Sequence, residues 1–411
     1  MIKPSDGLLV KGLVFFIIIC VVGNVYIPLT IGISKDNASH LLKQIEGNKD
    51  GDFDNEISLY MGIGHMPSLS ACIIKNNSIV WYGGYGYCNR NEKKIPTDDT
   101  GYMIASISKT FTATAILQLY EQGLFELDDN VSEYLPFDLK NPKYPNVNIT
   151  FRMLLAHQSS LTKAKFMFPI YFTFLGYSFD WLDEYLLPNG GIYDEDTWRD
   201  VLPGEEYCYS DIGFGILGHL VENLSNQSFN DYCKEHIFQP LNMANTSFQL
   251  GDFKYSNLAV PYFWVPGFYI PLPQINVGEV CSPAGGLRTS ISDLSHYLIA
   301  HINNGVYNDR RILKNETIEL MHSVQYKNSF EYNYSYGLGW MLWNETNNEI
   351  YGGHSGGIIG GRAEMWYRLS DNIGVIYFWN QYEYLNLGER PIEKNAQQKI
   401  DRIIWEKANK I

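Results

Sequence analysis

Residues 101–123 read GYMIASISKTFTATAILQLYEQG, a short extended run followed by a helical pattern, and Ser106 stands where one passes into the other. Apolar side chains at Phe111, Ile116, Leu117, Leu119 and Tyr120 recur at helical spacing, and Gly123 supplies a stop, so a helix is predicted over Ser108 to Gly123. In Ser106-Ile107-Ser108-Lys109 the serine and the lysine are one helical turn apart and share a face. A serine hydroxyl is a weak nucleophile at neutral pH, so acyl transfer needs a base beside it and donors for the oxyanion. A helix start brings backbone N–H groups and a positive dipole end to the same place. The S-x-x-K spacing alone decides little, because chance gives about one or two matches in a chain of this size. Ser160-Leu161-Thr162-Lys163 is such a match, and it opens a loop where Ser106 opens a helix.

Outward from this helix, Leu69 to Ile74 and Ile79 to Tyr87 are apolar and aromatic runs separated by Lys75-Asn76-Asn77-Ser78, a hairpin signal. Further helices are predicted over Phe151 to Ala156, Gly213 to Leu224, Phe229 to His236 and Ile291 to Asn303. Strands return at Tyr336 to Trp343, Glu349 to Gly352, Ala363 to Arg368 and Ile373 to Asn380. A closing helix from Pro391 sets Ile392, Ala396, Ile400, Ile403 and Ile404 on one face. Strands near both ends with helices between them predict an α/β domain whose one sheet is built from the two termini, with a mainly helical region inserted.

The chain has 411 residues and a formal net charge of -14, spread along its length with no basic block beyond pairs such as Lys93-Lys94 and Arg310-Arg311. Nucleic acid is therefore not an expected partner. Lys3 and Lys11 precede an apolar stretch from Gly12 to Ile33 that is long enough to span a bilayer. Residues 1–34 are read as an uncleaved anchor in preference to a cleaved signal peptide, 35–55 as a polar stalk and 56–411 as the catalytic domain. The positive flank puts that domain on the outer or lumenal side, or releases it as a secreted protein if the segment is cleaved. Ten Asn-x-Ser/Thr sequons between Asn37 and Asn344 fit a glycosylated protein of that compartment. Cys20 lies in the apolar segment, and Cys72, Cys88, Cys208, Cys233 and Cys281 form no C-x-x-C pair. Disulfides do not scaffold such a fold, and with no H-E-x-x-H or Cys/His cluster neither a metal nor another cofactor is expected.

Two further motifs follow Ser106 in the order of S-x-x-K hydrolases: Tyr209-Ser210-Asp211 after Pro203-Gly204, and His354-Ser355-Gly356 beside a glycine-rich stretch. With these the chain resembles the serine β-lactamase-related family, which includes class C β-lactamases, D,D-peptidases, D-aminopeptidases and family VIII carboxylesterases. The resemblance runs from about Glu56 to Trp405 and takes in Leu154 to Leu161, Pro240 to Met243, Ala284 to Leu287 and Gly337 to Trp340. It implies a β-lactamase/transpeptidase-like α/β fold, an antiparallel sheet of N- and C-terminal strands flanked by helices. It also implies that Ser106 attacks a carbonyl, that Lys109 and Tyr209 exchange its proton, and that the N–H groups of Ser106 and Gly357 hold the oxyanion. His354 and Gly356 would line the strand edge against which a small-molecule or peptide substrate lies. Which of Lys109 and Tyr209 is the base stays open, since Lys109 serves only if burial or a nearby cation lowers its pKa.

Two positions depart from that pattern. His354 stands where β-lactamases usually carry Lys, which favours an esterase or a D-amino-acid peptidase over an efficient β-lactamase. Asp211 stands where Asn is usual, and an ionised Asp cannot donate to a substrate carbonyl. Asp211 also motivates the rival reading of a catalytically silent receptor domain on the same fold. A second rival takes Gly353-His354-Ser355-Gly356-Gly357 as the G-x-S-x-G elbow of α/β-hydrolases, but that needs a helix after Ser355 and a later histidine, and none follows His354. Aromatic residues crowd 164–185 and 261–273, as lids for an apolar acyl group, as a membrane-facing rim, or as packing of long loops.

Overall fold

The computed structural model describes residues 53–162, 182–191, 193–265, 267–325, 334–344, 349–381 and 391–411. The expected anchor, most of the stalk, Lys163 and the aromatic run 164–181 lie outside the described residues. Among the described residues no helix is long and apolar enough to cross a membrane. Helix α1 (Phe53–Ile63) begins inside the stretch read as stalk and buries Ile57, Tyr60 and Met61.

Strands β1 (Ser68–Lys75) and β2 (Ser78–Gly86) form the expected hairpin. Its turn residues Asn76 and Asn77 have φ of 52° and 58°, the left-handed pair that a two-residue hairpin turn requires and Asn tolerates. Helix α2 (Ser108–Glu121) follows, then α3 (Asp211–Ser225) and α4 (Ile291–Ile302), each within a few residues of its predicted span. The helix expected over Phe229 to His236 is α-helical to Cys233 and continues as a π turn to Phe238.

The stretch Tyr336 to Trp343 is not one strand. It divides into β3 (Tyr334–Tyr336) and β4 (Met341–Asn344), a tight reversal closed by the Gly337 N–H donating to Trp340 O at 2.8 Å. Gly339 holds φ +77° there, and a Cβ on it would strike the Ala113 methyl of α2. Strand β5 (Ile350–Ile358) runs well past the predicted Gly352 end and takes the whole His354-Ser355-Gly356 motif into the sheet. Strands β6 (Gly361–Arg368) and β7 (Ile373–Trp379) and helix α5 (Pro391–Lys410) complete the chain.

The seven strands lie in the order β2-β1-β7-β6-β5-β4-β3, every neighbouring pair antiparallel, with β1 and β7 joining the two ends of the chain. Alternation along the strands divides the core in two. Leu69, Ala71, Ile73, Val375 and Trp379 face α1 and α5, meeting Ala396, Ile400 and Ile404. Cys72, Ile74, Met365, Ile376 and Phe378 face the inserted helical region. Ile400 and Ile404 are 1% and 0% exposed, and each such side chain contributes about 1.5–3 kcal/mol by leaving water.

Helix α2 runs through the middle of the larger core and is buried on nearly every side. Its threonines are accommodated because each hydroxyl finds a partner: Thr110 donates to Ile107 O at 2.8 Å, Thr112 to Pro283 O at 2.6 Å, and Thr114 meets the Tyr297 hydroxyl at 2.9 Å. All five described cysteines are buried, and Cys72, Cys88 and Cys233 are free thiols. The aromatic stretch 261–273 is a hairpin of Tyr262–Val265 and Phe268–Pro271, with Tyr262 and Phe263 buried and Phe268 at the tip 71% exposed.

Candidate active site

Ser106 is the middle residue of a 3-10 turn, Ala105–Ile107, that leads directly into α2. The turn is strained: Ala105 sits at φ +46°, a conformation that a residue with a Cβ rarely takes. Neighbours hold it there. Ser108 Oγ donates to Ala105 O at 2.6 Å and accepts from Leu287 N at 3.0 Å, and Ile104 N donates to Leu287 O at 3.0 Å. Ser106 itself remains partly exposed.

Lys109, on the first turn of α2, is fully buried and, among the described residues, points its amine at three oxygens. It donates to Ser106 Oγ at 3.2 Å, to Asp211 Oδ1 at 2.6 Å and to Ala284 O at 2.8 Å. A carboxylate this close favours the ammonium over the neutral amine. Asp211 reaches Lys109 because α3 begins there. The capping is done by Ser210, whose Oγ accepts from Gly213 N at 3.3 Å, so Asp211 is not the cap. Tyr209 flanks the pair, with Lys109 Nζ 4.8 Å from its ring centroid. The loop carrying these residues is fixed by His157, whose Nδ1 accepts from Ser210 N at 3.1 Å while its ring packs 4.3 Å from that of Tyr209.

The opposite wall is β5. A Cβ on Gly356 would collide with Ile104 O and lie 3.1 Å from Ser106 N, so the strand backbone passes directly over the Ser106 turn and only glycine fits. Gly357 follows it, paired with Arg362 of β6. His354, on the same face of the strand as Gly356, is 1% exposed. Burial, together with the charge of Lys109, pushes its pKa down to about 3 and keeps it neutral. Its Nδ1 lies 2.6 Å from Ser355 O, which can only accept, so Nδ1 carries the proton. Nε2, 2.9 Å from the Tyr336 hydroxyl, is therefore the acceptor and Tyr336 the donor.

The structure thus brings Ser106, Lys109, Tyr209, Asp211, His354 and Gly356 to one place, with Gly357 next along the strand. Ser160 is excluded: it is fully buried, and its Oγ accepts from Asn141 Nδ2 at 2.8 Å. Ser355 lies in mid-strand with its side chain on the other face from His354, which removes the elbow reading. Three participants escaped the motif reading. The Ala284 carbonyl and His157 lie inside stretches that carry the wider resemblance without a role of their own, and Tyr336 has no signal in the sequence. Among the described residues no group of three or more His, Cys, Asp or Glu could hold a metal ion.

Comparison with known proteins agrees with this geometry. The Beta-lactamase family model matches residues 53–391. Protein flp of Staphylococcus aureus (strain MW2) is 29% identical over 248 residues, 58% of this chain and 46% of that protein. Beta-lactamase-like protein 2 of Dictyostelium discoideum is 27% identical over 383 residues, 89% of this chain and 65% of that protein. The chain therefore spans only about half the length of the first of these relatives. Among solved structures, the octameric penicillin-binding protein homologue from Pyrococcus abyssi superposes with a TM-score of 0.66 at 27% identity, covering 85% of this chain and 74% of that one. The D-amino acid amidase from Ochrobactrum anthropi SV3, complexed with L-phenylalanine amide, shares the fold with a TM-score of 0.69 at 21% identity over 88% of this chain and 99% of that one.

Proposed function

The chain belongs to the serine β-lactamase-related family, and from that membership we propose that it is a serine hydrolase that cleaves an ester or amide through an acyl-enzyme on Ser106. The observation that carries the proposal is the contact of Lys109 Nζ with Ser106 Oγ at 3.2 Å, under a strand whose glycine closes on the same turn. In the first step Ser106 Oγ bonds to the substrate carbonyl carbon and gives up its proton through Tyr209 and Lys109. Negative charge gathers on the carbonyl oxygen, opposite the N–H groups of Ser106 and Gly357. The bond to the leaving alcohol or amine then breaks, and that group takes the proton. Water adds to the acyl-enzyme in the second step and restores Ser106.

The ion pair with Asp211 favours the ammonium form of Lys109, which supports Tyr209 as the group that carries the larger part of the transfer. Neutral His354 does not supply the fixed cation that a Lys at that position would offer a substrate carboxylate, so an esterase or amino-acid amidase activity fits better than efficient β-lactam hydrolysis. The same ion pair is the observation that favours the rival, a catalytically silent receptor domain. A serine-directed fluorophosphonate separates the two. Wild-type protein is expected to take one adduct on Ser106 by mass spectrometry, and Ser106→Ala to lose both label and turnover. An unlabelled wild type, or an adduct on Ser160 or Ser355, would overturn the assignment.

A further inference from the structure

We propose that Asp211 is the receptor for a hydrogen-bond donor on the acyl side of the substrate, so that Ser106 acts on aminoacyl esters or amides whose amine, next to the scissile carbonyl, is free. The inference rests on the hydrolase reading above and names the substrate class of that same site.

Position comes first. Lys109 Nζ touches both Ser106 Oγ, at 3.2 Å, and Asp211 Oδ1, at 2.6 Å, which sets the carboxylate and the nucleophile on one wall, a single ammonium apart. The Asp211 side chain is 13% exposed where that of Lys109 is 0% exposed, so the carboxylate keeps an access to solvent that the lysine lacks. Its Oδ1 is taken by Lys109, while Oδ2 has no donor among the described residues. Capping of α3 does not occupy it either, because Ser210 performs that task.

The chemistry of the group then selects the ligand. An ionised carboxylate only accepts hydrogen bonds, whereas a side-chain amide at this position would both donate and accept. An acylamino substrate would direct its carbonyl oxygen at the carboxylate, leaving two acceptors face to face. A free α-ammonium, ionised below a pKa of about 8, instead offers charge-assisted N–H donors from an atom only two bonds from the scissile carbon. Among the described residues Asp211 offsets the charge of Lys109 and His354 is neutral, so neither of these repels it. The formal net charge of -14 adds a long-range pull on cations.

The experiment compares alanine 4-nitroanilide with N-acetylalanine 4-nitroanilide, in both enantiomers, for the full-length chain and for Asp211→Asn. 4-Nitrophenyl butyrate, which has neither amine nor acylamino group, and fluorophosphonate labelling are run alongside. Wild type is expected to favour the free amine by at least about tenfold in kcat/KM, and Asp211→Asn to bring that ratio to one or invert it. Labelling of the variant reports that its site is still formed, and the wild-type ratio stands without any variant. A wild type that hydrolyses the butyrate ester but prefers the acetylated anilide, or a ratio unchanged by Asp211→Asn, overturns this inference and leaves the hydrolase reading intact. Absence of both labelling and butyrate hydrolysis overturns the hydrolase reading, and this one with it.

Discussion

At the scale of single residues, the state of His354 is decided by two neighbours, one on each ring nitrogen. Ser355 O takes the Nδ1 proton and the Tyr336 hydroxyl serves Nε2, so the ring is neutral and locked in orientation. Removing that hydroxyl strands a buried acceptor, at a cost of about 1–3 kcal/mol. Tyr336→Phe is expected to lose that much stability in a urea titration and to lower kcat/KM through a loosened His354, while Tyr334→Phe, one residue pair along the strand, leaves Nε2 served. The spacing of Ser106 and Lys109 was legible in the sequence because one helical turn is a local fact. Asp211 was legible too, as a departure from a known motif. The Ala284 carbonyl and Tyr336 were not, since a backbone acceptor has no side-chain signature and an aromatic three strands from the nucleophile's turn becomes a partner only once the sheet is assembled.

Secondary structure elements explain how Ser106 is held. The turn at Ala105 holds its positive φ only while Leu287 and β5 press on it from two sides. Gly356→Ala inserts a methyl against Ile104 O, and the strand or the turn must move. We expect at least about a hundredfold loss of kcat/KM, the scale of a lost oxyanion donor, with the circular dichroism spectrum unchanged. Gly62→Ala in α1, where a Cβ meets nothing within 4 Å, is expected to keep full activity and to gain a few tenths of a kcal/mol or more from helix propensity. Helices α2, α3 and α4 could be read from periodicity and their stops. The division of Tyr336 to Trp343 and the length of β5 could not, because glycines that look like breaks in a sequence are here the residues that let a strand pass close to another backbone or reverse tightly.

At the scale of the whole molecule, His301, His322 and His354 are buried neutral and bind no proton until the pH is far below the ordinary range. Burial pushes His322 and His354 down to about 3, and His301, beside His322 and Trp340, also well below its usual value. The unfolded chain protonates each near 6.5, so their contribution is fully present above that pH and is lost as the pH falls from there towards 3. Each can remove up to about 1.4 kcal/mol per pH unit. Asp293, raised by burial to about 6, works in the opposite sense, since the fold takes up its proton before the unfolded chain does. Burial also lowers His296 and raises Glu222, so four histidines stand against two carboxyls and predict a net loss, which denaturant titrations at pH 7.5, 5.5 and 4.5 would register as a falling midpoint. A flat midpoint would mean that the histidines are solvated in solution. The two-sided sheet was foreseeable from strands at both ends of the chain, whereas the buried histidines were not, because nothing in their local sequence marks them as interior. The closure of that sheet also sets a timetable. Ser68 bonds to the Asn380 side chain across 312 positions, and the glycine that completes the nucleophile's turn is Gly356. A ribosome therefore delivers Ser106 and its lysine long before the strands that hold them in working geometry. Until β5 to β7 emerge, the nascent chain has Ser106 and Lys109 without the walls of their site, which closes only once residues as far as Asn380 have been made.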